Sequence, residues 1–410
     1  MVTERVLTIE LDGQTQVSVE CSAGILLGDF EEKHTITSSA PAVTHNLRLQ
    51  GLLAETSYNC VTTGAATNAT IDFTTGSLPS VLVNLYETPT GTPQAGYMLF
   101  NTFGAGMQAD HWLLIQDYWG NIRWYVDGSD GNGIIGLEYE PEAGGIIAGG
   151  GFAGNGGTLY PPSIYDLSGT LIQRFDVEGD HDIDYRNGSI YIPLEMVDYS
   201  CIQQWSIDPL MQTWEWCVPD KNFSINSIAV TEDEASILMT TYNEMEGVVK
   251  IDIKSGDTVW TFNPDGSGDF SVDTPVTGLE RQHDVLIVEC DSSEHDICML
   301  VYDNGTAARG YSQILNYGFN ETKMEANLLR SFTRKGWYEP HSGGVTELDN
   351  KEWLITIATF GGPNITSYLL VDEKGNELWE MKSSEDATGA YRARGIAPCD
   401  IFNHTGMCAE

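Results

Sequence analysis

The chain has 410 residues, with 59 acidic against 20 basic side chains and a formal net charge of −39. That surplus of negative charge argues against nucleic acid as a partner, because phosphates would be repelled, and no apolar run of about eighteen residues is present to span a membrane. The length allows two or three domains, or one large repeat fold with a small module, and 41% hydrophobic residues supply material for their cores.

The N-terminus carries no charged, apolar leader, so the expectation is that any targeting peptide has been removed or lies outside this sequence. Residues 1–77 read as short alternating strands separated by turn residues: "VLTIEL", "QVSVEC", "HNLRLQGL", "TSYNCVTTGA" and "ATIDFTT". Strands of this length and spacing predict a β-sandwich. Tyr58 stands two residues before Cys60, the spacing of a tyrosine corner. The segment resembles a fibronectin type III or immunoglobulin-like module, with Cys21 and Cys60 expected to bridge its sheets. "TTGSLPSVLVN" then reads as a linker.

The eight cysteines fall in local couples, Cys21/Cys60, Cys201/Cys217, Cys290/Cys298 and Cys399/Cys408, with no C-x-x-C. Such couples predict four structural disulfides and an extracytoplasmic chain. Seven N-x-S/T sequons, at Asn68, Asn187, Asn222, Asn304, Asn320, Asn364 and Asn403, are glycosylation candidates if the host has the pathway.

From residue 78 to 410 one phrase recurs: an apolar strand, Asp with a Gly- or Asn-containing turn, then a strand carrying an aromatic. It appears as "LLIQDYWGNIRWYV", "SIYDLSGTLIQRFDV", "QWSIDPLMQTWEWCV", "VVKIDIKSGDTVWTF", "MLVYDNGTAARGYSQIL" and "YLLVDEKGNELWEM". Each reads as a hairpin whose turn tolerates positive φ. Repetition of this kind predicts an all-β chain with a six-bladed β-propeller after the sandwich, the longer fifth interval implying an inserted loop around 305–335.

A different strand follows each hairpin. "HDIDY" (181–185), "NSIAV" (226–230), "HDVLI" (283–287) and "SGGVT" (342–346) occupy equivalent places. In a propeller the first strand of each blade lines the channel, so His181, Asn226, His283 and the neighbourhood of His341 are expected to converge on one funnel. Asp182 and Asp284, the second residues of the two His-Asp pairs, are expected to hold backbone rather than react.

The ordered set "GYMLF", "LLIQDYWGNIRWY", "HDIDYRNGSIYI", "INSIAV", "RQHDV", "YDNG…ARGYSQI", "SGGVTELDNKEWLI" and "YRARGIAP" resembles the arylsulfotransferase (aryl-sulfate sulfotransferase) propellers. That resemblance implies transfer of a sulfuryl group from a phenolic sulfate to a phenol through a sulfated histidine, without a nucleotide donor or other cofactor. It implies His283 as the nucleophile, His181 as a stabiliser of the sulfuryl oxygens or an aid to the leaving phenol, and Asn226 as a hydrogen-bond donor to the sulfuryl group. The sequence departs from the family pattern at two positions. Ser224 stands in a histidine column, and Thr241 and Tyr242 stand where an arginine is expected. Arg281, Arg309, Arg392, Arg394, Tyr242 and His341 could replace the missing donors. A transferring sulfuryl group needs such donors, and removing one commonly costs about 10²–10³ in rate.

Three functions stay open: a secreted arylsulfotransferase-like enzyme, a catalytically degenerate propeller serving as an extracellular structural or binding subunit, and a glycan-binding propeller. The sandwich could mediate homo-oligomers or extracellular assembly. No metal is expected, since "DGSDGNG" (127–133) and "NPDGSGD" (263–269) lack the closing Glu of a calcium loop. "GGGFAGNGG" (149–157) has no strand-turn-helix setting for a phosphate cradle.

Overall fold

The computed structural model describes residues 3–64, 68–102, 112–128, 134–150, 161–177, 179–195, 199–219, 224–241, 247–273, 277–358, 365–384 and 389–408, without the side chains of 12–14. Among the described residues there is no α-helix. One 3-10 turn, Ser80–Leu82, follows the last N-terminal strand.

The N-terminal strands form two sheets. Glu4–Thr15 pairs with Ala42–Gln50, and a second sheet runs in the order Phe30–Thr37, Ser18–Leu27, Ser57–Thr63, Thr70–Thr74. Alternation puts Leu47 and Leu49 of the first sheet against Val19, Cys21, Tyr58 and Cys60 of the second in one buried cluster. Each such aliphatic side chain contributes roughly 1.5–3 kcal/mol on burial. The Tyr58 hydroxyl accepts the Leu53 N–H at 2.8 Å, five residues upstream, which is the geometry of the corner read from its spacing. Cys21 and Cys60 are bonded, but they do not bridge the two sheets. They are register partners on neighbouring strands of one sheet, with Cα atoms 4.0 Å apart. The other three couples, Cys201–Cys217, Cys290–Cys298 and Cys399–Cys408, are also bonded as expected.

Among the described residues, six sheets of four or five strands follow the 3-10 turn. One edge strand of each touches its counterparts in the two neighbouring sheets. These edge strands are Gly136–Glu140, Asp184–Arg186, Ile225–Val230, Gln282–Val288, Gly344–Glu347 and Ala393–Ile396, and the last returns to the first. Six inner strands thus close a ring, the architecture of a β-propeller. Closure is made by the C-terminus, because Ala393–Ile396 is the inner strand of the sheet built from Tyr97–Asn101, Trp112–Asp117 and Ile122–Asp127. On the outside, Thr90–Gly91 adds to the strand Glu377–Lys382.

Five of the six recurrent phrases fall on the two outermost strands of the principal four in their sheets. The fifth does not. "MLVYDNGTAARGYSQIL" joins Ile297–Asp303 to Gln313–Asn320, the second and third strands of its sheet, and the equivalent outer hairpin is Gln313–Asn320 with Glu325–Phe332. No inserted loop occupies 305–335, since two eight-residue strands fill most of that span.

The chain then turns back to the N-terminal sheets. Ile401, Phe402 and Met407 enter one buried cluster with Leu27, Tyr97 and Trp124. The Thr35 N–H donates to Asn403 O at 3.2 Å. Gly51 has a φ of +68° and a Cβ there would lie 2.4 Å from the Phe402 ring, so the docking needs glycine.

Candidate active site

Adjacent inner strands of a propeller splay apart, so their backbone N–H groups lack one another as partners and need side-chain acceptors. The second residue of each motif pair supplies them. Asp182 Oδ2 accepts the Ile228 N–H at 3.0 Å and the Ser227 hydroxyl at 2.6 Å. Ser227 Oγ in turn accepts the Val285 N–H at 3.1 Å, and Asp284 Oδ2 accepts the Val345 N–H at 2.9 Å. Glu138 and Asp184 do the same for Tyr185 and Val230. Asp182, Ser227 and Asp284 are therefore straps between blades.

The first residues of those pairs, His181, Asn226 and His283, are all buried beside the straps. Tyr391 connects two of them: its ring centroid lies 6.0 Å from that of His283, and the Asn226 amide approaches its hydroxyl. His283 Nδ1 lies 3.1 Å from Arg281 O, an atom that only accepts, so Nδ1 carries the proton and the lone pair sits on Nε2. Burial chiefly, with the charges of His181 and Arg392, brings its pKa down to about 3. The imidazole is neutral. His181 behaves oppositely. Burial disfavours its charge, but Asp180, 2.8 Å from Nδ1, and Glu195 outweigh that and raise its pKa. Glu195 is itself pushed up, by burial and by Asp180. Two histidines with environments that drive their protonation apart suit opposite roles at one site.

Beneath them lies a buried ionic quartet. Arg392 Nη1 reaches Asp182 Oδ1 at 2.6 Å and Asp284 Oδ1 at 3.3 Å, and Arg392 Nη2 donates to His283 O. Arg394 holds both oxygens of Asp284 at 2.7 and 2.9 Å. Burial opposes the Asp284 charge, but the two guanidinium groups hold its pKa down. A Cβ at Gly344 would lie 2.5 Å from Arg392 Cγ and 2.8 Å from Asp284 Oδ2, so only glycine leaves room for the quartet.

The other expected residues are spread around this centre. Arg281, at a φ of +58°, is half-buried, and its charge together with burial lowers the pKa of the exposed His341, so these two share the rim. Arg309 Nη1 pairs with Asp303 Oδ2 at 2.6 Å, and its guanidinium also donates to the carbonyls of Tyr311, Gly278 and Asp303. Ser224 Oγ donates to Glu195 Oε2 at 3.3 Å. Tyr242 lies outside the described residues, as do Asn222, Asn364 and most of the glycine-rich segments 127–133 and 149–157.

Asn304 needs correction as a glycan acceptor. It is fully buried, its amide donates to Glu339 O and Ser342 O at 2.7 Å each, and its side chain lies against the His283 ring. Asn68, Asn187 and Asn403 are exposed, and Asn320 is half-buried. Residue-by-residue reading of the sequence also missed Tyr391, Asp180 and Glu195. Signals existed for two of them, since Asp180 makes the run Asp-His-Asp and Tyr391 precedes Arg392 in "YRARG".

A closed ring of sheets, with His181 and His283 buried at its inner strands, defines a β-propeller. Residues 202–384, a stretch within the ring, match the family model described as arylsulfotransferase (ASST). No curated protein matches the chain. Similar solved structures include a protein of unknown function from Bacteroides caccae, with a TM-score of 0.48 at 10% identity over 74% of this chain and 99% of that one. TolB from Acinetobacter baumannii has a TM-score of 0.46 at 11% identity over 85% of this chain and 81% of that one. No helix among the described residues is long and apolar enough to cross a membrane.

Proposed function

We propose that the chain is a secreted sulfotransferase that moves a sulfuryl group from a phenolic sulfate to a phenol through His283. The observation that carries this reading is the neutral, buried imidazole with its proton tied to Arg281 O and its lone pair on Nε2. In the first half-reaction Nε2 attacks sulfur, an N–S bond forms, the aryl S–O bond breaks, and the phenolate leaves to be protonated. In the second, the oxygen of an acceptor phenol attacks sulfur, the N–S bond breaks, and the acceptor proton passes to solvent. Nδ1–H stays on Arg281 O throughout, which steadies the charge that develops on the sulfated ring. Asn226 and His181 are assigned in this reading as donors to the sulfuryl oxygens, because that group carries its charge on peripheral oxygens. Secretion is supported by the four disulfides.

A degenerate propeller is the second reading. It is favoured by the commitment of Arg392 and Arg394 to Asp182 and Asp284, and by Ser224 facing Glu195. Incubation with 4-nitrophenyl sulfate and excess phenol separates the two. The enzyme reading expects 4-nitrophenolate release, an acid-labile sulfuryl adduct on the peptide containing His283, and loss of both in His283→Ala. Wild-type release no faster than buffer overturns it in favour of the second.

A further inference from the structure

Asp180 and His181 lie just before the inner strand Asp184–Arg186, and Glu195 ends its antiparallel partner Ser189–Glu195. The Asp180 N–H donates to Pro193 O at 2.8 Å, which fixes the open end of this hairpin. His181 takes a φ of +55°, a conformation uncommon outside glycine and asparagine that the surroundings must hold in place. As a result one atom from each of Asp180, His181 and Glu195 comes within 4.8 Å of the other two.

Their partners are few. Asp180 is 1% exposed, and its carboxylate meets His181 Nδ1 at 2.8 Å and the Glu195 carboxyl. Glu195 Oε2 has the Ser224 hydroxyl, at 3.3 Å. No lysine or arginine of the described residues forms an ion pair with either acid. Other buried acids nearby differ. Asp182 has a hydroxyl, a backbone N–H and a guanidinium, and Asp303 has Arg309, Gln313 and the Glu280 N–H. A buried and a half-buried carboxylate held side by side with so few donors are costly to keep charged unless a cation compensates. A proton can join two of the three converging atoms, whereas a metal ion can join all three.

We propose that Asp180, His181 and Glu195 bind one first-row divalent cation, of which Zn²⁺ and Mn²⁺ are the representatives. One imidazole and two carboxylates form the mixed nitrogen and oxygen set that suits such ions, and three protein ligands leave a position open. Ser224, small and bonded to Glu195, stands where the family pattern has a histidine, and the ion brings positive charge back to that side of the site. Only that use of the ion rests on the sulfuryl-transfer reading. Its binding does not, and the test reads binding alone.

The full chain, stripped with a chelator and dialysed, is equilibrated with Zn²⁺ or with Mn²⁺. Metal content is measured by mass spectrometry, affinity by calorimetry and stability by melting. The expected result is one ion per chain and a raised melting temperature. Asp180→Asn and Glu195→Gln should each weaken affinity at least about tenfold, and Glu289→Gln, at an 87% exposed acid, should leave it unchanged. Wild-type protein that retains no stoichiometric ion overturns the proposal. So does binding that survives both substitutions, the mark of an adventitious ion only on an acidic surface. A melting temperature indifferent to metal but raised by Asp180→Asn also overturns it, because that pattern belongs to an acid pair sharing a proton.

Discussion

Arg392 and Asp182 stand 210 positions apart in sequence, yet Nη1 of one donates to Oδ1 of the other at 2.6 Å. The contact ties the strand that closes the ring to the turn before the inner strand Asp184–Arg186. It also explains why the chain twice writes His-Asp: the histidine faces the site and the aspartate straps blades together beneath it.

Removing one partner of such a buried pair leaves the other charged and unsolvated, at a cost of about 3–5 kcal/mol. Arg392→Ala should therefore lower the unfolding free energy by that order, measured by denaturant titration. Gly344→Ala should act in the same direction by displacing Arg392. A loss below about 1 kcal/mol in Arg392→Ala, the range of exposed ion pairs, would show that the quartet contributes nothing as a buried network.

A second buried charge joins the N-terminal sheets to the ring. Glu32 takes Arg123 Nη1 on both oxygens at 2.9 Å, Tyr58 Oη at 2.6 Å, and His34 and His404 Nε2 at 2.9 Å each. Burial works against its charge, but Arg123, His34 and His404 hold its pKa far below the ordinary value of 4.5. A folded pKa below the unfolded one means stability fully present above about 4.5 and lost as pH falls from there. Melting temperature should fall in that acid window, and Glu32→Gln should remove this part of the fall while costing about 3–5 kcal/mol at neutral pH. An unchanged acid limb in Glu32→Gln would assign the loss to other carboxylates.

Much of this was legible in the sequence, for physical reasons. The tyrosine corner has a fixed two-residue spacing, the cysteine couples are local, and period-2 alternation marks strands wherever one face is buried. The fifth hairpin was misplaced because "YDNG" at 302–305 has the turn chemistry of an outer hairpin while lying between the second and third strands. Long-range pairings leave no local signature. Nothing near "EEKHTIT" or "FNHTG" announces that His404 will share Glu32 with His34. Asn304 misled for a similar reason, since a sequon states what a side chain could carry and not whether the fold buries it.

If the chain passes through a glycosylating pathway, Asn68, Asn187 and Asn403 should be occupied, because each is exposed. Asn304 should not, since its amide is donated to two carbonyls inside the protein. Glycopeptide mass spectrometry decides this, and a glycan found on Asn304 of correctly folded protein would contradict its burial.

The last prediction concerns His283. Its ring faces Arg281 O, Asn304, Tyr391, His181 and the Arg392 guanidinium, and burial is the largest cause of a pKa near 3 instead of the ordinary 6.5. The unfolded chain would bind a proton here that the folded chain refuses, so stability is fully present above pH 6.5 and declines as pH falls toward 3. One pKa unit corresponds to about 1.4 kcal/mol, so the loss across this window is on the order of a few kcal/mol. His283→Gln, which keeps an amide of similar reach, should flatten the decline between pH 6.5 and 4.5, above the range where Glu32 contributes. Carbon-13 NMR of the imidazole Cε1 should show His283 unprotonated through pH 5 while the reference histidine of a peptide titrates. If sulfuryl transfer uses this ring, loss of the neutral nucleophile should not limit the rate until pH approaches 3–4, since the lone pair on Nε2 persists to that point. A His283 resonance titrating near 6.5 would mean that water reaches the ring, and the dry, neutral nucleophile would have to be abandoned.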